Sequence, residues 1–282
     1  MSALAVRTKL DAAAARDAAQ KVVQTHQRLA DFLRPGQTLA QIDRFVAATL
    51  DELGCTSCFL KYRQGRLPAF PSHACLSVND CIVHGTAAGY VEPMKAGDVL
   101  KIDIGVFFRG WVGDAAWTYS FGEPSPVVAR LMTCGKESLR RGIAALKPGE
   151  PWIAWARAVQ DYVESPPPRG CGFHLVRGLG GHGYGHKKLH GPPFVANSVP
   201  RGDLRYEWPD GLRPVEPGSL VALEPMIAQG TGETDDTGRT KRWPVHTQDG
   251  SIAVHYEHDV LITEDGVEVL TEGMDGLRDV IA

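Results

Sequence analysis

The chain reads twice. LRPGQTLAQI, beginning at Leu33, returns as LKPGEPWIAW at Leu146, an offset of 113 residues. Further along, Gly97-Asp98-Val99-Leu100-Lys101-Ile102-Asp103 is matched by Gly218-Ser219-Leu220-Val221-Ala222-Leu223-Glu224, at an offset of 121. The first pair are helix–turn–helix junctions. The second pair are each a turn followed by a strand that delivers a carboxylate at the same position. The offsets differ by eight residues, which one loop insertion explains, and the polar, turn-rich stretch 197 to 213 (NSVPRGDLRYEWPDGLR) is where it would fall. Single short matches are cheap. Two in the same order with the same predicted structure point to a duplication. The expected fold is therefore α/β (α+β): a single domain of two pseudo-symmetric halves, about 8 to 123 and 124 to 275. Each is a helix pair plus an antiparallel sheet, and the halves face each other across one site.

The helices follow from periodicity. Residues 8 to 33 are alanine-rich, with Leu10, Val22, Val23, Leu29, Phe32 and Leu33 on the apolar positions, and Pro35-Gly36 ends the run. Thr38 with Gln41 makes a capping box for the next helix, which carries Leu39, Ile42, Phe45, Val46, Leu50 and Leu53 and stops at Gly54. The second pair is predicted at 125 to 146 and 151 to 164. A chain of 282 residues with 43% hydrophobic content can bury a large core. A net charge of -3 offers no attraction to nucleic acid or to an anionic membrane surface. No apolar stretch is long enough to span a bilayer, and MSALAVRTKLDAAAARDAAQ lacks the apolar core of a signal peptide. The expectation is a cytoplasmic protein, and with no exposed apolar stripe asking for a partner, a monomer. Cys55 and Cys58 form a C-x-x-C with no second Cys or His pair at zinc-finger spacing, so the six cysteines read as ordinary reduced thiols.

The chemistry lies in carboxylates set among apolar strands. VLKIDIGVFFRGWVGDAAWTYSF, 99 to 121, is a hairpin candidate with Arg109-Gly110 near its middle. A turn at 108-109 pairs Asp103 directly with Asp114; a turn at 109-110 makes them diagonal neighbours. Either register puts them on one face, with Cβ atoms about 5 Å or about 7–8 Å apart. Glu224 closes the run Leu220-Val221-Ala222-Leu223, and Glu257 lies in IAVHYEHDVLI, read as a strand. A lone charge in a buried strand is expensive, and four call for a shared multivalent cation. Carboxylates able to bridge suggest two metals about 3.5–4 Å apart. Carboxylates with one imidazole suit Mn, Fe, Co or Zn. GHGYGHKKLHG sets His182, His186 and His190 four apart, as on one helix face. However, Gly180, Gly181, Gly183, Gly185 and Gly191 each disfavour a helix by about 1 kcal/mol.

In chain order, KIDIGV, VGDAAWT, GGHGYG, ALEPMI and HYEHDV resemble the five metal-ligand motifs of the methionine aminopeptidases. The resemblance runs over nearly the whole chain from about residue 10. It implies the pita-bread fold, itself a pseudo-two-fold duplication, and the absence of a large internal insertion resembles the shorter, bacterial type I class. It further implies that Asp103 is a bidentate ligand of one metal, that Asp114 and Glu257 bridge the pair, and that His182 and Glu224 complete the second. His190 resembles the histidine that hydrogen-bonds the substrate carbonyl, although its spacing from His182 is one residue longer than the resemblance leads one to expect. His84, in CIVHG, resembles the other substrate-facing histidine. Cys75 and Trp243 resemble the walls of the methionine pocket, with Phe70 and Tyr62 as further walls. His186 reads as a solvated loop residue. The implied reaction is removal of the initiator methionine from nascent chains: two divalent ions make hydroxide available near neutral pH, Glu224 moves the proton to the leaving amine, and ligation of the free α-amine confines cleavage to the first residue. The ribosome is a partner implied by work on nascent chains.

Three other readings compete. Xaa-Pro dipeptidases and aminopeptidase P resemble the chain in the metal ligands, but usually carry an additional N-terminal domain, and only about 70 residues precede CLSVND here. Non-catalytic binding modules of the same fold are expected to have lost ligands or gained basic extensions. A C-x-x-C redox protein would need a thioredoxin-like βαβ context, which is missing.

Overall fold

Both Pro-Gly junctions are tight left-handed turns: Gly36 has φ +88° and its counterpart Gly149 φ +83°. The structure, a computed structural model, describes residues 5–185, 188–235 and 242–282. The four expected helices are Lys9–Phe32, Leu39–Glu52, Pro126–Ala145 and Ile153–Glu164. Thr8 and Thr38 each close a capping box, with Asp11 and Gln41 respectively, which satisfies amide groups that helix starts leave open. Most of the apolar stripe of the first helix faces the core; Leu10 does not, being 83% exposed beside the helix start.

The second repeated element holds as well. Gly97 (φ +94°) donates its N–H to Phe121 O, and Gly218 (φ +86°) donates to Ile262 O. Each glycine thus starts a strand, Val99–Phe108 or Leu220–Leu223, and pins it to the far end of its antiparallel partner, Trp111–Phe121 or His258–Ile262. The first pair centres a five-stranded sheet with Thr56–Ser57, Cys75–Val78 and Val280–Ile281. The second centres another, with Val267–Val269, Gly180–Gly185 and Lys188–Ala196. The first helix lies on the first hairpin: a Cβ at Gly113 would sit 2.6 Å from Ala18 O, so only glycine permits that approach. His26 of this helix is wholly buried on the same face, between Tyr119 Oη at 3.1 Å and Ala115 O at 3.2 Å.

Two segments join the sheets. Leu220–Leu223 continues into Met226–Ala228, and Ala253–His255 into His258–Ile262; they run antiparallel throughout, Met226 opposite His255 and Leu223 opposite His258. Both therefore leave one sheet and enter another at the same level. Glu224 and Glu257 occupy the two crossing points. The expectation that Glu257 rides within a strand is corrected: it falls in the break between two, as Glu224 does. There the ladder opens, and the peptide N–H of Glu257 donates instead to Ala116 O of the first hairpin, at 2.9 Å. Next to it, Thr118 Oγ1 donates to His255 O at 2.7 Å and accepts from His255 N at 3.0 Å, tying the halves together.

The stretch 197 to 213 is more ordered than a polar loop. It holds a short helix, Leu204–Glu207, and a 3-10 turn, Pro209–Leu212. Trp208 between them is buried and donates its indole N–H to Phe194 O. All six cysteines, Cys55 and Cys58 among them, are unpaired thiols, and no helix of the described residues is long and apolar enough to cross a membrane.

Candidate active site

The hairpin turns at Arg109-Gly110, both with positive φ (48° and 86°), so Phe108 pairs with Trp111 and Asp114 faces Gly105. Of the two registers left open by the sequence, the diagonal one is formed. Asp103 stands opposite Ala116 on one side and Cys75 on the other. Gly105 leaves room for Asp114: a Cβ there would sit 3.2 Å from Asp114 Oδ1 and 3.0 Å from the Phe59 ring.

His182 sits within the strand Gly180–Gly185 and His190 within Lys188–Ala196, so the described residues of the three-histidine run form strands and not a helix. The glycines serve the sheet instead. A Cβ at Gly181 would run into the Ala222 carbonyl, and one at Gly183 into the Pro192 carbonyl, so three backbones close around the histidine. His182 lies opposite Ala222 and Phe194 and points its ring at the carboxylates. Its Nδ1–H donates to Gly183 O at 3.0 Å, which leaves the Nε2 lone pair facing the cluster, 3.6 Å from Glu224 Oε1 and 3.9 Å from Asp114 Oδ2. His190, on the paired strand Lys188–Ala196, brings its ring centroid within 4.3 Å of that of His182. His186 lies outside the described residues.

His84 is placed by backbone strain. It adopts φ +58°, uncommon for a residue with a Cβ. The following Gly85 accepts from Leu76 N and donates to Ser77 Oγ, both at 2.9 Å, in a space where a Cβ would meet the Leu76 carbonyl. The kink turns the imidazole towards Trp243, edge to face with centroids 6.1 Å apart. Trp243 packs on Phe70 (5.3 Å) and Tyr62 (6.1 Å) and donates its indole N–H to Pro68 O. Tyr62 in turn places its hydroxyl 2.6 Å from His190 Nδ1. Every site residue named from the sequence lines one cavity of about 430 Å³, carboxylates, histidines and aromatic rings together.

The electrostatics of the acidic end are severe. Burial pushes the carboxyls of Asp103, Asp114, Glu224 and Glu257 well above their ordinary range, and they push one another further. Burial holds His182 down to about 3, helped by His190, and His190 down to about 4. The His182 imidazole, which reaches the carboxylates, is thus neutral near pH 7 and supplies no counter-charge. Asp103 Oδ1 and Asp114 Oδ1 are buried without a hydrogen-bond partner. Buried, unpaired carboxylate oxygens and a neutral imidazole within a few ångström of one another are the donor set of a divalent cation. Asp114, His182 and Glu257 present one such group, and Glu224, His255 and Glu257 another, each with donor atoms within 4.8 Å. The residues fit a pair of divalent ions.

The model of metallopeptidase family M24 matches residues 13–264. The chain belongs to this family. Its relatives there are methionine aminopeptidases: it is 36% identical to methionine aminopeptidase 1 of Mycobacterium tuberculosis over 245 residues, 85% of this chain and 84% of that one. It is similar to the solved methionine aminopeptidase of Thermotoga maritima with a TM-score of 0.80 at 28% identity, covering 95% and 99% of the two chains. An X-Pro aminopeptidase of Thermotoga maritima gives a TM-score of 0.70 at 18% identity, with this chain covering 64% of it, a likeness of fold alone. The pita-bread fold and the metal-dependent aminopeptidase class expected from the five motifs are those of this family.

Two features behind the methionine aminopeptidase motifs escaped the sequence reading. His255 is 1% exposed, with Nε2 3.3 Å from Glu224 Oε2 and 3.9 Å from Glu257 Oε2. Burial, then His84 and Lys101, hold it down to about 3. Asp259 is fully buried with Tyr184 beside it, and burial and Asp114 raise its carboxyl. The signal available for His255 was its position two residues before Glu257, an inward place on an alternating strand. Nothing short of the fold brings Tyr184 to Asp259.

Proposed function

We propose that this enzyme removes the N-terminal methionine of nascent polypeptides by hydrolysis of the first peptide bond, with residue roles as follows. A single catalytic domain, its halves meeting near residue 123, supports the reaction across its central cavity. Asp103, Asp114, His182, Glu224 and Glu257 hold two divalent ions, Co, Mn, Fe or Zn. When bound, the pair provides Lewis acidity and lowers the pKa of water towards neutrality. Glu224 takes the proton of the attacking water and delivers it to the leaving amine. The acidic end of the cavity receives the free α-amine of the substrate, so the bond cut is the first.

His84 and His190 donate to the carbonyl oxygen as it gains charge. For His190 the tautomer follows from its partner. If the Tyr62 hydroxyl donates to Nδ1, the proton sits on Nε2, which then faces the cavity as a donor. The methionine side chain fits the other end: Cys75, Phe70, Tyr62 and Trp243 offer soft, apolar walls. The observation that carries this reading is the meeting, in one cavity, of three buried carboxylates and the partly buried Asp103 with a cluster of aromatic side chains.

The natural substrate is the amino terminus of a nascent chain, met at the ribosome in the cytoplasm, with the enzyme acting as a monomer. The test is the substrate. Metal-loaded enzyme releases free methionine from Met-Ala-Ser and leaves Ala-Pro-Ala intact. Cleavage before proline, with Met-Ala-Ser uncut, would transfer the protein to the Xaa-Pro enzymes of the same fold.

A further inference from the structure

We propose that His255 is a protein ligand of the divalent centre, adding a second imidazole at the Glu224–Glu257 side. The proposal rests on the metal reading of the acidic cluster and extends its ligand set.

Three observations place it there. First, His255 Nε2 is buried and has no hydrogen-bond partner. Its neighbours are two carboxylate oxygens, Glu224 Oε2 at 3.3 Å and Glu257 Oε2 at 3.9 Å. A buried ring nitrogen without a partner is unfavourable unless something else occupies its lone pair. Second, the separation is that of cis ligands. Metal–donor bonds of about 2.1 Å at right angles set donor atoms about 3 Å apart. Glu224 Oε2 is close enough to accept a hydrogen bond from Nε2, yet the geometry of one is not met. The nitrogen therefore does not aim at that oxygen, as expected where both converge on a shared ion. Third, the two imidazoles flank Glu224 on opposite oxygens: His182 lies 3.6 Å from Oε1, His255 3.3 Å from Oε2. His255 reaches the cluster from within the protein, its backbone locked to Thr118 of the opposite half. Carboxylate-only surroundings favour hard ions such as Mn, whereas each added imidazole shifts preference towards Zn, Fe or Ni. A second imidazole thus biases this centre away from Mn.

The test needs no turnover. Chelator-stripped enzyme is loaded with Zn and examined by X-ray absorption, which counts imidazole ligands per metal pair. The wild-type protein should show two, and one would overturn the proposal. In parallel, Zn and Mn are titrated calorimetrically into stripped wild type and His255→Gln, with the melting of the apo forms as the check on folding. His255→Gln should lose at least tenfold in Zn affinity and clearly less for Mn, narrowing the ratio. A folded variant whose Zn and Mn affinities are both unchanged from wild type would overturn it. Should His255→Gln fail to fold, the imidazole count on the wild type decides alone. A stripped wild type that binds no divalent ion would instead sink the metal reading itself, a separate failure.

Discussion

The hydroxyl of Tyr62 lies 2.6 Å from Nδ1 of His190, two residues brought together from 128 positions apart. When the hydroxyl donates in this contact, the His190 proton sits on Nε2, the tautomer that makes it a donor to substrate. Tyr62→Phe should lower kcat about tenfold with little change in KM, since about 1.4 kcal/mol is lost from a donor that strengthens in the transition state. His190→Ala should cost 10²–10³-fold, the scale of a lost carbonyl donor. Steady-state kinetics on a Met-Ala-Ser substrate separate these. A Tyr62→Phe enzyme with altered KM and unchanged kcat would mean that the hydroxyl serves the side-chain pocket alone.

The four raised carboxyls make the metal-free protein sensitive to base. Each has a folded pKa above its unfolded value, so the folded state binds more protons, and stability present in acid is lost as pH rises. Buried histidines work in the opposite direction. His26, His182 and His255 have folded values of about 4, 3 and 3, so their contribution is lost as pH falls below about 6.5. Lys101, pulled down to about 8 by burial, contributes a rising term only above that value. Between about pH 6.5 and 8, with the histidine contribution complete and that of Lys101 not yet begun, any carboxyl still protonated in the folded state makes stability fall as pH rises. Stripped enzyme should melt about 2–4 °C lower at pH 8 than at pH 7 for each carboxyl still protonated, and saturating divalent ion should abolish the slope. Calorimetry in both states checks this; a flat apo profile would contradict it.

Asp114→Asn removes a charge from the middle of that cluster. The stripped variant should be more stable than stripped wild type at pH 8, by about 1–3 kcal/mol, while divalent ions no longer raise its melting temperature. Turnover should be absent. A variant less stable than wild type in the apo state would mean that Asp114 holds the fold through its own hydrogen bonds.

Glycines around His182 should be intolerant in proportion to what a methyl group would strike. Gly181→Ala collides with the Ala222 carbonyl and should destabilise by about 1–3 kcal/mol or more while displacing the ligand beside it. Gly276→Ala meets nothing within 4 Å and should stay within about 0.5 kcal/mol. Chemical denaturation of the two variants measures the difference, and equal effects would show that the strand can part to admit a side chain.

Much of the architecture was legible because it recurs. Pro35-Gly36 and Pro148-Gly149, and Gly97 and Gly218, place the same left-handed turns in both halves, so one half vouches for the other. The carboxylates were legible because a charge among branched apolar residues has few physical excuses. The histidine run was partly legible: its glycines argued against a helix, but which backbones they allow to approach depends on strand pairing that spacing does not encode. The hairpin register needed the turn geometry at Arg109-Gly110. Glu257 was misplaced onto a strand because alternation continues through Tyr256-Glu257 even where the chain changes sheets. His255, Tyr184 and Asp259 stayed hidden for a related reason. Their significance comes from contacts between halves, and a single inward-facing position looks the same whether it meets a core or a cation.

The most direct measurement is the number of divalent ions bound by the stripped enzyme at saturation, followed alongside methionine release from Met-Ala-Ser. With Co, Mn, Fe or Zn supplied singly, at least one should bind at two ions per chain and restore release in step with occupancy, and Asp114→Ala should do neither. Full release from protein holding no divalent ion, or a saturated stoichiometry of zero, would contradict a carboxylate cluster built around a metal pair.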